Sequence, residues 1–413
     1  MSPSPRTLSR FLLVAGSFVF ALMLSLHFVF SGGHHKNGLS PRNTPPGSLD
    51  APLICHGSQS LLDIDPSLQI DPDTGLPCDS TWRFLLDLLF SSSEKYKVYP
   101  PTGNYWNITF KAYPSGGQGK NLKRKNPFAD DYGAEDPDDC DDTTISPSGN
   151  PKQSVVTEHI HERQTEARAQ EFMMFGELEL GDGQGKADSG YPVIDPYWLN
   201  ESSWLFTPYN KWCKKESKTN ISPIESITDA YGNTANSLPL VNFDSVLNGV
   251  KSRMWKGEDP ISVTTWDTNN LWNLDNDHGG QAITVLNSVV MVINYLNIDE
   301  VSGSPDDPGV NGLWTKVVNA IIAEWKRYCD CVFDEYGVTL NADKIYGRYV
   351  SEVIVWRLTF RAKAFLKNKI EGLKSVWEEA SDGTTKEEMI DRLEQLEEKV
   401  KDIDVNTEGM NLS

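Results

Sequence analysis

Between Thr264 and Gln281 the chain reads TTWDTNNLWNLDNDHGGQ. Two indoles, several carboxylates, several amides and one imidazole stand there within a few turns of chain. Trp266 and Trp272 offer flat apolar faces, and Asn270 and Asn273 offer amide donors and acceptors beside them. That mixture suits a sugar, which presents C–H faces and hydroxyl groups. Asp267 with Asp275 or Asp277 supplies the two carboxylates that glycoside hydrolysis uses, and His278 adds a further proton carrier. Asn273, Asp275 and Asp277 also have the alternate spacing of calcium ligands. An EF-hand is excluded, because His278 stands where its glycine belongs and Thr284 where its bidentate glutamate belongs. The plainer alternative is an Asn/Asp-rich connection that caps the helix beginning after it.

Two other clusters have metal-ligand chemistry. His159 and His161 form an H-x-H within TEHIHERQTEARAQEF. That context reads as a helix, on which residues two apart point about 200° away from each other and do not share an ion. The expectation is therefore a solvated helical face. The second cluster is acidic. Eight acids lie between Asp130 and Asp142, including Asp130, Asp131 and Glu135 and then Asp138, Asp139, Asp141 and Asp142. Paired carboxylates hold Mg²⁺ or Mn²⁺ and through it a diphosphate, which makes a metal-dependent transferase one alternative. The surroundings, rich in Pro and Gly and poor in apolar residues, favour a solvated loop.

Cys55, Cys78, Cys140, Cys213, Cys329 and Cys331 make an even set, compatible with three disulfides in an oxidising compartment. Cys329 and Cys331, a C-x-C, point to different partners if their segment is helical. No zinc site is expected, since no second thiol pair or nearby histidine completes one. G-x-S-x-G, H-E-x-x-H, P-loop and G-x-G-x-x-G motifs are absent. No cofactor is therefore expected, and no nucleotide cofactor in particular. A net charge of −20 argues against nucleic acid as a partner, because phosphate contacts need clustered Lys and Arg.

Several elements must position these groups. Residues 1–10 carry Arg6 and Arg10, and Phe11 to Phe30 comes next as 20 residues without a formal charge. As a helix that run spans about 30 Å, the thickness of a bilayer core. Flanking positive charge places residues 1–10 in the cytosol and the remainder across the membrane. An uncleaved signal anchor is preferred to a signal peptide, whose apolar region is shorter. Asn-x-Ser/Thr sequons at Asn107, Asn200, Asn220 and Asn411 agree with a luminal or extracellular chain, membrane-bound or secreted.

Residues 31–52 read as a flexible stalk and 53–113 as a small cysteine-containing region. Within the latter, Trp82 to Phe90 predicts a short helix and Tyr105 to Tyr113 a strand. Residues 114–154 read as a disordered charged linker, with Lys123-Arg124 a dibasic pair inside it. Residues 155–405 predict an α-helical luminal domain, a bundle or toroid, and 406–413 a tail. In that domain 181–240 is rich in loops and aromatics, among them Tyr191, Tyr197, Trp198, Trp204, Phe206, Tyr209 and Trp212. Gln281 to Asn297, apolar on nearly all sides, is a buried helix or contains a buried strand, and its length favours the helix, while Leu313 to Tyr336 predicts an amphipathic helix stopped by Gly337. A third stretch of the 3.6 period runs from Asp343 to Ala380. The last helix starts at Thr385, with Glu388 completing a capping box. It carries Met389, Leu393, Leu396, Val400 and Ile403 as a short coiled-coil seam, expected to pack on its own domain.

The reading is a mainly α fold with a partly β N-terminal region behind one membrane segment. The expected function is that of a secretory-pathway glycoprotein with a non-catalytic binding role toward a glycan or a protein. A glycan-active hydrolase using the Asp267–His278 loop is the alternative.

Overall fold

The computed structural model describes residues 93–412, apart from 115–119, 127–128, 137–138, 140, 148–154, 181–184 and 300–308. The membrane segment, the stalk, Cys55, Cys78, Cys140 and the helix expected over 82–90 lie outside the described residues.

The chain opens with a hairpin, β1 (Glu94–Val98) and β2 (Trp106–Phe110), in antiparallel register with Tyr96 opposite Ile108. The strand expected around residues 105–113 is β2. A four-stranded mixed sheet comes next, built from β3 (Asp131–Ala134), β4 (Ile145–Ser146), β5 (Val155–His159) and β8 (Leu240–Asp244) in the order β4-β3-β8-β5. Strand β8 is buried at all five positions and lies antiparallel to β5 and parallel to β3. A small hairpin, β6 (Glu177–Glu179) and β7 (Lys186–Asp188), completes the strands among the described residues.

Two expectations change here. Residues 114–154 contain α1 (Lys120–Lys125), β3 and β4 rather than an unstructured linker. The acids did not prevent this, because Tyr132, Gly133 and Ala134 turn inward while Asp131 is neutralised by Lys123 at 2.5 Å and held by the Asn242 amide at 2.8 Å. Residues 155–159 form a strand where a helix was expected. The β-branched Val155, Val156 and Thr157 pair with Asp244, Phe243 and Asn242 of β8.

The rest is mainly helical. α2 (Gln164–Phe175) stops at Gly176, whose φ of +75° continues the backbone in the left-handed region. α3 (Pro223–Ala230) starts with a complete capping box between Ser222 and Glu225. Asp244, the last residue of β8, accepts the Val246 and Leu247 amides at 3.0 Å and so caps α4 (Ser245–Lys256). After α5 (Val263–Thr268) comes α6 (Asn276–Leu296), the predicted buried helix. α6 is apolar and long enough to cross a membrane, yet 89% of its most apolar window is buried inside the fold, so it is spent as core. Tyr295 of α6 stacks on Phe243 of β8 with ring centres 3.8 Å apart.

α7 (Gly309–Tyr336) is the amphipathic helix, with Trp314, Val318, Ile321, Trp325 and Tyr328 inward, and Gly337 ends it at φ +69°. The long periodic stretch after it divides into α8 (Ala342–Tyr349), two π-helical segments over Val350–Val355 and Arg357–Arg361, and α9 (Ala362–Glu378). α10 (Thr384–Asp402) starts one residue before Thr385, with Gly383 at its cap position and no side-chain bond there, so the expected capping box is not its start. Its seam residues Met389, Leu393 and Leu396 are buried, and the helix packs on α9 and α6 of its own chain.

Candidate functional site

Ser262 caps α5 through the Thr265 amide at 3.0 Å, which sets Trp266 facing inward and fully buried. Beyond α5, Asn270 adopts φ +53°, a left-handed conformation that asparagine tolerates better than other non-glycine residues. The turn it makes brings Trp272 to 5.4 Å from Trp266, measured between ring centres. Lys369 of α9 sets its ammonium 4.5 Å from the Trp266 ring centre and 4.8 Å from that of Trp272. Burial lowers the Lys369 pKa, while the charges of Asp267 and Asp259 pull it back up. The Trp272 indole N–H donates to Asp267 at 3.0 Å, and the ring lies so close to α9 that a Cβ on Gly372 would sit 3.0 Å from it.

The remaining acids of this loop serve the next helix. Asp275 accepts the His278 backbone N–H at 2.8 Å and lies 2.7 Å from His278 Nδ1, so it is the N-cap of α6. Asn273 donates its amide to Asp275 at 3.0 Å, and Gln281 donates to Asp277 at 3.3 Å. Asp267, Asn270, Trp272 and Asn273 line one shallow open depression of about 210 Å³. Asp275, Asp277 and His278 are not among its lining residues, and Trp266 lies beneath. The tertiary fold thus gathers half of the residues singled out in the sequence, buries Trp266 beneath them and engages Asp275, Asp277 and His278 in the first turns of α6.

His159 and His161 correct the expectation of a solvated face. His159 closes β5 and His161 lies two residues beyond it, and both are buried. His159 Nε2 lies 3.3 Å from the Gly232 carbonyl. His161 has a fixed tautomer. The Trp314 indole N–H can only donate, and it points at Nδ1 from 2.9 Å, so Nδ1 is the acceptor and Nε2 carries the proton. Nε2–H then donates to the Tyr346 hydroxyl at 2.8 Å. Tyr346 in turn donates to the Tyr231 hydroxyl at 2.8 Å, and Tyr231 donates to Glu166 at 3.3 Å. Gln170 adds a second donor to Glu166 at 3.0 Å. Burial lowers the pKa of His161 to about 3, with the Lys251 charge acting the same way, and raises that of Glu166 to about 7 against its hydrogen bonds.

Beside this chain lies a buried ion cluster. Lys251 contacts Glu158 directly, Glu162 at 2.9 Å and the His159 carbonyl at 3.2 Å, with no exposure of its own. Burial raises the Glu158 pKa and Lys251 opposes it, while Lys251 stays protonated because two carboxylates face it. These groups are satisfied by one another, and none of them lines a cavity among those described.

The acidic run also takes structural partners. Asp141 pairs with Arg392 of α10 at 3.3 Å, its carbonyl accepts from Lys399 at 2.8 Å, and Asp142 accepts the Thr144 amide at 2.8 Å. Among the described residues no group of three His, Cys, Asp or Glu side chains could hold a metal ion. Cys213 and Cys331 form a disulfide with Cα atoms 5.6 Å apart. Cys329 is a buried free thiol, raised to about 12 by burial, which departs from the expectation of three disulfides. On a helix Cys329 faces about 200° away from Cys331, so it turns from the loop that Cys331 reaches.

That disulfide fixes an aromatic surface whose members the sequence shows but whose arrangement it does not. Short 3₁₀ turns over 196–216 lay Trp204 and Trp212 beside Tyr336 of α7. The centre of the Trp204 ring is 5.7 Å from those of both Trp212 and Tyr336, and the planes are inclined by 28° and 15°. Tyr336 and Tyr197 remain 42% and 59% exposed, large values for aromatic rings. Tyr328 donates to the Trp198 carbonyl at 2.6 Å, and Lys214 pairs with Glu335 at 2.8 Å, so the surface is held at its rim. Of the four sequons, Asn220 and Asn411 are exposed and Asn107 and Asn200 half-buried.

The chain matches no family model, no curated protein and no solved structure.

Proposed function

We propose that this chain is a secretory-pathway glycoprotein, held in the membrane by residues 11–30 or released from them, whose folded part binds glycans and does no chemistry on them. One observation carries the reading: the exposed rings of Tyr336 and Tyr197 stand with the half-buried Trp204 and the buried Trp212, and the planes of Trp204, Trp212 and Tyr336 are near-parallel. Rings presented this way suit the C–H face of a pyranose, and the Lys214–Glu335 pair at the rim supplies groups for its hydroxyls. The Asp267 depression is secondary to it. Asp267 already accepts from Trp272, and Asp275 and His278 are occupied at the start of α6, so the loop offers a binding face before it offers an acid–base pair.

The test is a glycan array probed with the full-length chain in detergent. Binding to a defined set of glycans is expected, weakened at least tenfold by Trp204→Ala and by Tyr336→Ala. No binding to any glycan overturns the reading. Glycan hydrolysis abolished by Asp267→Asn would replace it with the hydrolase.

A further inference from the structure

A groove between α9 and α10 lies apart from the residues discussed so far. It has a volume of about 490 Å³, and its floor is apolar, made by Phe360, Ala364, Ile370 and Val400. Phe360 is 46% exposed and stacks on Trp356 with ring centres 5.4 Å apart. This stack stands on the π-helical turns before α9, where the wider backbone carries side chains off the ordinary 3.6 spacing.

The rim is basic although the chain is acidic. Lys363, Lys367 and Lys401 line the groove against Glu371 and Glu397. Glu397 is engaged from outside by Lys374 at 2.6 Å. Glu371 reaches Lys367 only at 3.8 Å. Lys363 forms no ion pair among the described residues, and its ammonium donates to the Lys401 carbonyl at 3.3 Å. Lys401 pairs with Glu398 at 2.5 Å, so among the lining lysines it is Lys363 that brings uncompensated positive charge to the edge of the apolar trough.

We propose that this groove binds a single-chain amphiphile with a carboxylate head, that is, a long-chain fatty acid. The alkyl chain lies along Phe360, Ala364, Ile370 and Val400, and the carboxylate meets Lys363 and Lys367. Three features select this class. The floor is apolar, as an alkyl chain requires, and the charged residues stand at its rim. The volume lies in the lower part of the range for ligand sites, which suits one chain rather than two. The unpaired lysine complements an anion and repels a cationic amphiphile.

The experiment labels the full-length chain in intact cells with a diazirine- and alkyne-bearing palmitic acid and then maps the labelled peptides. Cross-links are expected in residues 360–371 and 397–401. Ala364→Trp fills the groove from an exposed position and is expected to cut labelling at least fivefold, with an unchanged cellular melting temperature. Lys363→Glu with Lys367→Glu is expected to do the same. Labelling only outside the groove, labelling undiminished in Ala364→Trp, or equal labelling by the matching fatty-alcohol probe would each overturn the assignment.

Discussion

At the scale of single residues, the buried line from Trp314 through His161, Tyr346 and Tyr231 to Glu166 is set by one donor that has no alternative. Because an indole N–H cannot accept, every hydrogen downstream has its direction fixed. Tyr346→Phe removes one hydroxyl and leaves the His161 Nε2–H without its acceptor. The expected cost is about 1–3 kcal/mol, read as a lower midpoint in chemical denaturation. The pH dependence has two opposing parts. His161 is held neutral, with a pKa near 3 in the fold. Its unfolded value is about 6.5, so its contribution is complete above about pH 6.5 and is lost as pH falls toward 3. Glu166 is the reverse, with a folded pKa near 7. Its contribution is complete below about pH 4.5 and is lost as pH rises through 7. Glu166→Gln imitates the protonated acid. It is expected to remove a decline of roughly 3 kcal/mol between pH 5 and pH 8 from the unfolding free energy. An unaltered slope in the variant would contradict the buried position of the carboxyl.

At the scale of elements, two devices hold non-helical chain against helices. The first is the disulfide, which closes a separation of 118 residues between the aromatic loop and α7. Cys331→Ser is expected to cost about 2–5 kcal/mol and to loosen Trp204 and Trp212, seen as greater quenching of tryptophan fluorescence by acrylamide. The second is a set of asparagine side chains that sews the C-terminal stretch down. Asn311 donates to the Asn406 carbonyl at 2.8 Å, Asn319 to that of Gly409 at 2.9 Å, and Asn297 accepts the Asn406 amide at 2.8 Å. Residues 406–412 are therefore a docked strap over α7 rather than a free tail. In α10, Leu393→Ala is expected to cost about 2–5 kcal/mol by opening a cavity against α9 and α6, measured by thermal denaturation.

For the whole molecule, the compartment and the fold make separate demands. The N-terminal apolar run and the sequons argue for a luminal chain on sequence grounds. Asn220 and Asn411, being exposed, are the sequons best placed for an oligosaccharide. Replacing each with Gln is expected to raise electrophoretic mobility by one glycan step, and no shift with either would show that these two sequons carry no oligosaccharide. The net charge of −20 is unevenly spread, since eight acids and no base fall between Asp130 and Asp142. That run lies against Arg392 and Lys399 of α10, so part of the acidity is used inside the molecule.

Short-range periodicity is the part of this protein that the sequence alone determined. α7 and α10 were legible because their apolar residues recur with the helical period, α6 because its apolar run is too long for one strand, and β2 because aromatic and β-branched residues alternate in it. That the Asn/Asp-rich connection could cap α6 was open to the same local reading, and the structure gives that role to Asp275, a residue the sequence put forward for catalysis. The tertiary structure alone decided the rest. TEHIHER has helical surroundings, yet Val155–His159 became a strand because β8 offered its backbone bonds and a dry face. Asp131 and Asp141 of the acidic run are held because Asn242 and Arg392, distant in sequence, reach them, with Lys123 adding an ion pair to Asp131 from nearby. Trp204 and Trp212 came to lie beside Tyr336 where Cys213 meets Cys331 across 118 residues. Pairings between strands, charges and cysteines far apart in the chain depend on which segments meet, and local pattern carries no record of that.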